Sequence, residues 1–380
     1  MARKRVIVAL SGGVDSAVAA LLLGDAGHDV QCLHMTNWED DGYCDSARDF
    51  QDARAVCLAL GVPLHRVSFA REYRDQVFAQ FLDEHRAGRT PNPDVLCNRE
   101  IKFGEMRRHA ERLGADAIAT GHYARLARSG DGTPRLSKAV DSSKDQSYFL
   151  HAVRPADFER VLFPLGELAK SEVRAIARRA RLPVAAKKDS TGICFIGERP
   201  FAEFLAGYVP PSPGPIVDVD GRELGRHPGL AYYTLGQRGG IGLGGTPGAA
   251  EAPWYVAAKD TRRNALVIVQ GHDHPLLYQD TLAAAGMHWL GAPPRGWDSG
   301  APVRCTAKVR YRQPDQPCTA VPTEDGGIEV SFDQPQRTPT PGQYVVLYGG
   351  DACLGGATIE RAWNRVGDAA ASRDTLRAAV

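Results

Sequence analysis

No apolar run in this chain approaches the roughly 20 residues needed to span a bilayer. None of its eight cysteines forms a Cys-x-x-Cys pair, and the spacing of Cys32, His34 and Cys44 fits no structural zinc pattern, so no metal site is expected. Neither sign of charge is in excess. With 46 Lys and Arg against 45 Asp and Glu, the net +1 excludes a general electrostatic sponge for nucleic acid but not a local basic face. Internal repeats and long low-complexity tracts are lacking as well. The start, Met1-Ala2-Arg3-Lys4-Arg5, runs straight into a β-like segment rather than a signal-peptide core. The expectation is therefore a cytoplasmic protein whose thiols are kept reduced. What remains is an ordinary globular composition, 43% apolar and 24% charged, over 380 residues, which is enough for two or three domains.

The first informative segment is Val6-Ile7-Val8-Ala9-Leu10 followed by Ser11-Gly12-Gly13-Val14-Asp15-Ser16. The aliphatic run reads as a buried strand. The two glycines permit a tight turn and close approach of backbone N–H groups to a ligand. Val18, Leu21 and Leu22 give the following stretch a helical face, with Asp15 or Ser16 as its expected cap. Strand, Gly-rich turn and helix N-terminus together form an anion site. The Gly-Lys-Ser/Thr ending of a Walker A loop is missing.

Strand and helix patterns alternate to about residue 200. Strands are expected at Val6–Leu10, Val30–Met35, Leu64–Phe69 and Ala117–Thr120. Helices are expected at Ser16–Ala26, Ser46–Leu60, Tyr73–His85, Ile101–Leu113 and Ser171–Arg181. That alternation predicts an α/β fold with a doubly wound parallel sheet, binding its ligand beyond the carboxyl ends of the strands. Asp131-Gly132 reads as a hairpin turn between Ala124–Arg128 and Arg135–Val140. Arg174, Arg178, Arg179 and Arg181 on the last helix suit either a solvated or an RNA-facing surface. Pro-rich 209–215 marks a boundary, and Gly-rich Thr234–Gly248 reads as loop. From about 280 onward short strands at Val303–Tyr311, Ile328–Phe332, Tyr344–Tyr348 and Ala357–Ile359 suggest a small β-barrel. On one strand of it, Arg304, Lys308, Arg310 and Arg312 alternate, giving either a phosphate-facing row of cations or a solvated face.

Two cysteines stand in polar segments that read as loops: Cys97 in Thr90-Pro91-Asn92-Pro93-Asp94-Val95-Leu96-Cys97-Asn98, and Cys194 in Lys187-Lys188-Asp189-Ser190-Thr191-Gly192-Ile193-Cys194-Phe195. Lys187 and Lys188 favour a thiolate at Cys194. The other cysteines read as buried thiols, with Cys44 undecided. Asp94 is either a general acid or base or a turn residue after Pro93.

The Ser11–Ser16 loop resembles the SGGxDS loop of the N-type ATP pyrophosphatases, which split ATP between its α and β phosphates. Both cysteine segments, together with Thr120-Gly121-His122-Tyr123-Ala124-Arg125, Lys144-Asp145-Gln146-Ser147-Tyr148-Phe149-Leu150, Thr234-Leu235-Gly236-Gln237-Arg238 and Val309-Arg310-Tyr311-Arg312, resemble the bacterial tRNA-specific 2-thiouridylases over nearly the whole chain.

That resemblance implies an adenine nucleotide alpha hydrolase-like catalytic domain (1–205), a small central domain (206–278), a C-terminal β-barrel (279–365) and a tail (366–380). It implies ATP, with Mg2+, held by Ala9, Leu10, Ser11, Gly12, Gly13, Val14, Asp15 and Ser16, with Met35 and Gly121. Cys194 would carry a persulfide and Cys97 would be its partner nucleophile, with Asp94 catalytic. The wobble base of tRNA would meet Asn92, Pro93 and Asp94, and the RNA would also meet His122, Lys144, Asp145, Gln146, Arg310, Tyr311 and Gln343. Sulfur would come from a cysteine desulfurase or a sulfur-relay protein. Rival readings are an ammonia-using pyrophosphatase synthetase, which needs neither cysteine, and a non-catalytic RNA-binding protein.

Overall fold

The structure is a computed structural model that describes residues 3–39, 46–128, 130, 132–189, 200–243 and 252–365. Cys44, Asp131, Cys194, the end of the Gly-rich stretch and the tail lie outside the described residues.

A five-stranded parallel sheet forms the N-terminal layer, from β1 (Arg5–Ala9), β2 (Asp29–Thr36), β3 (Leu64–Ser68), β4 (Ala117–Ala119) and β7 (Val161–Leu162), in the order β3-β2-β1-β4-β7. Alternation along β1 sends Val6 and Val8 to one face and Ile7 to the other. The first face packs on α1 (Val14–Asp25), α2 (Ser46–Leu60) and the Lys170–Arg179 helix through Ala17, Val18, Ala53, Val56, Val173 and Ala177. The second packs on helices at 70–86 and 93–112 through Val77, Phe81, Ile101 and Phe103. Both faces are covered at the centre of the sheet, so β1 and β4 read as continuous apolar runs, while the edge strand β3 is partly exposed. Sheet order reverses between β1 and β4, which is the position at which such sheets bind ligands.

Between Phe201–Ala206 and residue 270 lies a four-stranded sheet of β8 (Gly214–Val217), β9 (Glu223–His227), β10 (Trp254–Asp260) and β11 (Ala265–Gln270), ordered β10-β11-β8-β9. Then β12 (Tyr278–Trp289), β13 (Val303–Lys308), β14 (Gln316–Pro322), β15 (Ile328–Arg337), β16 (Tyr344–Gly349) and β17 (Ala352–Trp363) run β12-β15-β14-β13-β16-β17, and β12 pairs back with β17. That closure removes the sheet edges and makes a six-stranded antiparallel barrel. The hairpin of β5 (Ala124–Arg128) and β6 (Pro134–Lys138) belongs in sequence to the N-terminal layer, yet β6 pairs with β17 at the barrel. One apolar cluster runs through all three parts, from Ile7 and Phe81 to Ile216 and Val256 and on to Tyr344 and Tyr348.

Three expectations change. Cys97 lies in a helix rather than a loop: Pro93, at the first helical position where its missing N–H costs nothing, starts the 93–112 helix earlier than the apolar spacing suggests. Cys97 opens a wide, π-type stretch, Cys97–Met106. Second, the cation row breaks, because β13 ends at Lys308 and residues 309–312 turn, with Arg312 at φ +64°. Third, α1 begins at Val14 with Gly13 as its cap residue, and no side chain caps it.

Candidate active site

The Ser11–Ser16 loop sits at the carboxyl end of β1, beside the switch point. Gly12 has φ +79°, and a Cβ there would lie 2.3 Å from the Asp49 carbonyl oxygen of α2. Only glycine allows this turn to lie so close to α2. Ser16 braces the loop instead of capping the helix. Its Oγ accepts from the Ser11 N–H (3.2 Å) and donates to the Gly13 carbonyl (3.1 Å), while the Gly13 N–H donates to Ser11 Oγ (3.3 Å). Among the described residues, the N–H groups of Gly12, Val14, Asp15 and Ser16 have no acceptor. They form an open anion cradle at the positive end of α1. Gly121, just after β4, closes the cradle's side: a Cβ on it would meet the Ser16 nitrogen at 2.7 Å. Met35, on the face of β2 that carries Leu33, packs at the edge of the apolar cluster. His34 Nδ1 bonds the Leu10 carbonyl (2.9 Å), and burial keeps its pKa below the usual value.

Cations converge on this loop. Lys187 Nζ donates to the Gly12 carbonyl (3.1 Å), Asp49 (2.8 Å) and Asp52 (2.5 Å). Lys170 Nζ bridges both Asp15 oxygens (2.7 Å each) and Asp189 (2.8 Å). Asp15 also accepts from the Tyr123 hydroxyl (2.8 Å). Asp189 further accepts from Arg174 (2.6 Å) and Lys144 (2.7 Å). Burial would raise the Asp189 carboxyl, but the ammonium groups of Lys144 and Lys170 outweigh it and hold the pKa well below the carboxylate range. Burial and then Asp15 push the Tyr123 phenol far up, so it acts as a donor only.

Comparison with known proteins resolves what this loop belongs to. Residues 4–198 match the profile described as tRNA methyl transferase HUP domain, 202–270 the tRNA methyl transferase PRC-barrel domain, and 279–359 the aminomethyltransferase beta-barrel domain. The tRNA-specific 2-thiouridylase MnmA of Chromohalobacter salexigens is 56% identical over 97% of this chain and 96% of its own length. That of Alcanivorax borkumensis is 56% identical over 94% and 97%. The chain belongs to the tRNA-specific 2-thiouridylase family. A solved U34-tRNA thiolase, NcsA from Methanococcus maripaludis, covers 55% of this chain and 65% of its own at 19% identity and TM-score 0.34, too distant to bear on the site.

The thiouridylase-family motif around Cys97 is anchored by the barrel. Gln343 Nε2 donates to the carbonyls of Thr90 (2.8 Å) and Pro91 (3.1 Å), and its Oε1 accepts from Asn92 Nδ2 (3.4 Å). The Thr90 N–H in turn donates to the Pro341 carbonyl (2.9 Å). Pro93 and Cys97 are buried; Asp94 keeps some solvent access but is enclosed enough that burial raises its carboxyl pKa. Among the described residues the Asp94 carboxylate has neither an ion-pair nor a hydrogen-bond partner, while its backbone carbonyl accepts from the Cys97 N–H. Next to Cys97, the buried Asn98 donates to the Phe149 carbonyl (3.3 Å), while its own carbonyl oxygen has no partner.

The other expected RNA contacts are scattered. His122 is buried with Phe103 and Phe163 and bonds Thr120 Oγ1 (2.7 Å); burial holds it neutral. Asp145 is buried as well. It accepts from the N–H groups of Ala139 and Ser147 (3.1 Å each) and the Ser147 hydroxyl (2.9 Å), so its carboxylate organises the turn before Ser147 rather than facing solvent. Gln146 Oε1 accepts from the Tyr123 N–H (3.0 Å). Lys144 points to the nucleotide-loop cluster through Asp189. Of the four barrel cations, Arg304 pairs with Asp333, Lys308 is buried between Asp145 and Asp315, and Arg310 donates to the carbonyls of Arg337 (2.5 Å) and Thr338 (3.1 Å). Only Arg312 is exposed without such a tie among the described residues; its guanidinium lies over the Tyr311 ring, which meets the Phe149 ring at 4.4 Å, tilted by 46°.

Sequence reasoning passed over Lys170, Asp189 and Tyr123, and left Arg174 on a helix surface. The available signal was the four-residue spacing of Lys170 and Arg174, which puts both on one helix face. Arg178, Arg179 and Arg181 are exposed, which suits a solvated and an RNA-facing surface alike.

Proposed function

We propose that this chain catalyses ATP-dependent 2-thiolation of the wobble uridine of tRNA, in a cytoplasmic setting. The observation that carries the chemistry is the open row of N–H groups at Gly12–Ser16, placed at the sheet switch point and rimmed by Lys170 and Lys187. Such a cradle stabilises the charge of a leaving pyrophosphate. Ala9 and Leu10 set the base of the pocket, and Met35 and Gly121 its sides. Among the described residues no cluster of three His, Cys, Asp or Glu could hold a metal. Mg2+ would accompany ATP and neutralise its phosphates.

Uracil O2 is a poor leaving group until AMP is transferred to it. The sulfur atom then comes from a persulfide on Cys194, which a cysteine desulfurase or relay protein supplies. The Cys97 thiolate attacks the Cys194 sulfur, forming the Cys97–Cys194 disulfide and releasing sulfide, which adds to C2 and expels AMP. A thiol reductant then reopens the disulfide. Support for this pairing comes from the described ends of both segments: Cys97 sits on a helix that the barrel holds, and Lys187 and Asp189, just upstream of Cys194, are tied to the nucleotide loop. Asp94, with its raised pKa, is suited to trade a proton with the base or the leaving group. Asn92, Pro93 and Asp94 would line the base pocket. Lys144, Gln146, Arg310, Tyr311 and Gln343 would guide the anticodon, whose unpaired bases can be splayed out. His122 and Asp145 would shape that surface from within.

The test is nucleoside mass spectrometry of tRNA incubated with ATP, a persulfide donor and Cys97→Ser or Cys194→Ser. Both variants should lose 2-thiouridine yet still release pyrophosphate as uracil O2 is adenylated. Full thiolation by both would overturn sulfur transfer through these cysteines, and release of ADP and phosphate would overturn the loop assignment.

A further inference from the structure

One carboxylate, Asp189, holds three cations from separate parts of the chain: Lys144 on one oxygen and Lys170 and Arg174 on the other. Two of these cations share a helix face, and Lys170 also grips Asp15 in the first turn of α1. Asp189 thus joins Lys144 and Arg174 to Lys170, the cation that reaches the first turn of α1 beside the N–H cradle. Around the loop, Lys144, Lys170, Arg174 and Lys187 are matched by Asp15, Asp49, Asp52 and Asp189, so the site is close to neutral as it stands. A polyphosphate entering a neutral site gains little until one of the carboxylates withdraws. Asp15 is fixed in α1 and held by Tyr123 as well as Lys170. Asp189 belongs to no helix or strand and is about one-third exposed, at 32%. It is the carboxylate able to leave.

We propose that Lys170 and Arg174 are pyrophosphate-holding residues, and that Asp189 is an internal competitor which occupies them until the phosphates of the nucleotide displace it. Carboxylate and phosphate use the same charge-assisted donors, so the exchange needs no new geometry from the helix. The inference rests on the reading that ATP occupies the Ser11–Ser16 loop. It deepens that reading by naming which side chains, beyond the loop itself, hold the leaving group.

The experiment is calorimetric titration of the full chain with inorganic pyrophosphate and, separately, with Mg2+-ATP. Asp189→Asn should bind pyrophosphate roughly three- to tenfold more tightly than the wild-type chain, because the competitor's charge is gone. Lys170→Met and Arg174→Met should each weaken binding by about tenfold or more. The gain from Asp189→Asn should vanish in the Asp189→Asn/Lys170→Met double variant. Asp220→Asn, which changes net charge equally on an exposed turn of the central sheet, should bind like the wild-type chain. Should Lys170→Met fail to fold, Asp189→Asn and Arg174→Met carry the test. Unchanged or weaker pyrophosphate binding by Asp189→Asn overturns the competitor, and wild-type binding by Arg174→Met overturns the holding role. A wild-type chain that binds neither pyrophosphate nor ATP overturns the nucleotide reading itself, a result distinct from the other two.

Discussion

Gly12 and Gly13 are adjacent, chemically identical, and should respond to alanine in opposite ways. At Gly12 the backbone is left-handed, φ +79°, which costs an L-residue roughly 1–2 kcal/mol. The new Cβ would also lie 2.3 Å from the Asp49 carbonyl oxygen, about 1 Å inside ordinary contact, and the obstacle is helix backbone rather than a mobile side chain. Loop or helix must shift, so Gly12→Ala should lose at least about 2 kcal/mol, a change of more than tenfold in the folding equilibrium. At Gly13 the φ is −96° and the nearest atom to a new Cβ is Ser11 Oγ at 3.4 Å. Alanine fits there, and by restricting the unfolded chain it should be neutral or stabilising by up to about 1 kcal/mol. Urea unfolding followed by circular dichroism separates the two effects, and tRNA-dependent release of pyrophosphate reports whether the cradle survives. Equal destabilisation by both alanines, or wild-type stability in Gly12→Ala, would refute the geometry assigned to the loop.

Other consequences follow from the same contacts. Lys187→Met leaves Asp49 and Asp52 without their shared cation, so stability should fall by about 1–2 kcal/mol, discounted because all three groups are partly exposed, and ATP turnover should fall further. Wild-type turnover in that variant would show that Lys187 does not belong to the site. Gln343→Ala removes the clamp on Thr90 and Pro91, and hydrogen exchange should speed up in the start of the 93–112 helix before it does so elsewhere; unchanged protection there would remove the barrel's hold on the Cys97 segment. Burial lowers His85 and His151 from 6.5 to about 4. Both are neutral when folded and take up protons on unfolding below 6.5, so their contribution, about 3 kcal/mol each, is complete above pH 6.5 and lost as pH falls toward 4. Urea midpoints at pH 7.5, 6.0 and 5.0 should drop accordingly, with a shallower drop in His151→Gln; a flat profile would contradict neutral burial.

The parallel sheet was legible because β1 and β4 are buried on both faces and so appear as short aliphatic runs. The barrel was legible in outline for a different reason: short strands between turn residues leave few other ways to bury one face. Its closure through β12 and β17 was not, since pairing such as Trp289 with Gly355 and Thr281 with Trp363, far apart in the chain, has no local mark. Neither was the docking of the β5–β6 hairpin on β17, which joins segments more than 200 residues apart through a register pair, the Lys138–Asp351 backbone contact and the Arg125–Asp351 ion pair. The row of barrel cations misled because alternation predicts a shared face only while the strand lasts, and it stops at Lys308.

The helix at Cys97 shows the same limit with a chemical consequence. Pro, Asn and Asp density suggests a loop, but Pro93 and Asp94 are also well suited to the first turn of a helix, and buried Val95, Leu96 and Ile101 bring that helix onto the apolar cluster. A nucleophile on a helix is aimed by packing, whereas one on a loop is aimed only by its ligand. The barrel reaches the helix through Gln343, while the nucleotide loop reaches the chain upstream of Cys194 through Lys187 and Lys170. The Cys97 segment is thus tied to the barrel, and the chain leading to Cys194 is tied to the Gly12 loop, which the proposed function makes the tRNA end and the phosphate end of the site. On this reading, loosening either tether should slow sulfur transfer more than adenylation. In Gln343→Ala, release of pyrophosphate should persist while 2-thiouridine falls several-fold, and an equal loss of both would mean that the barrel contact serves RNA binding alone.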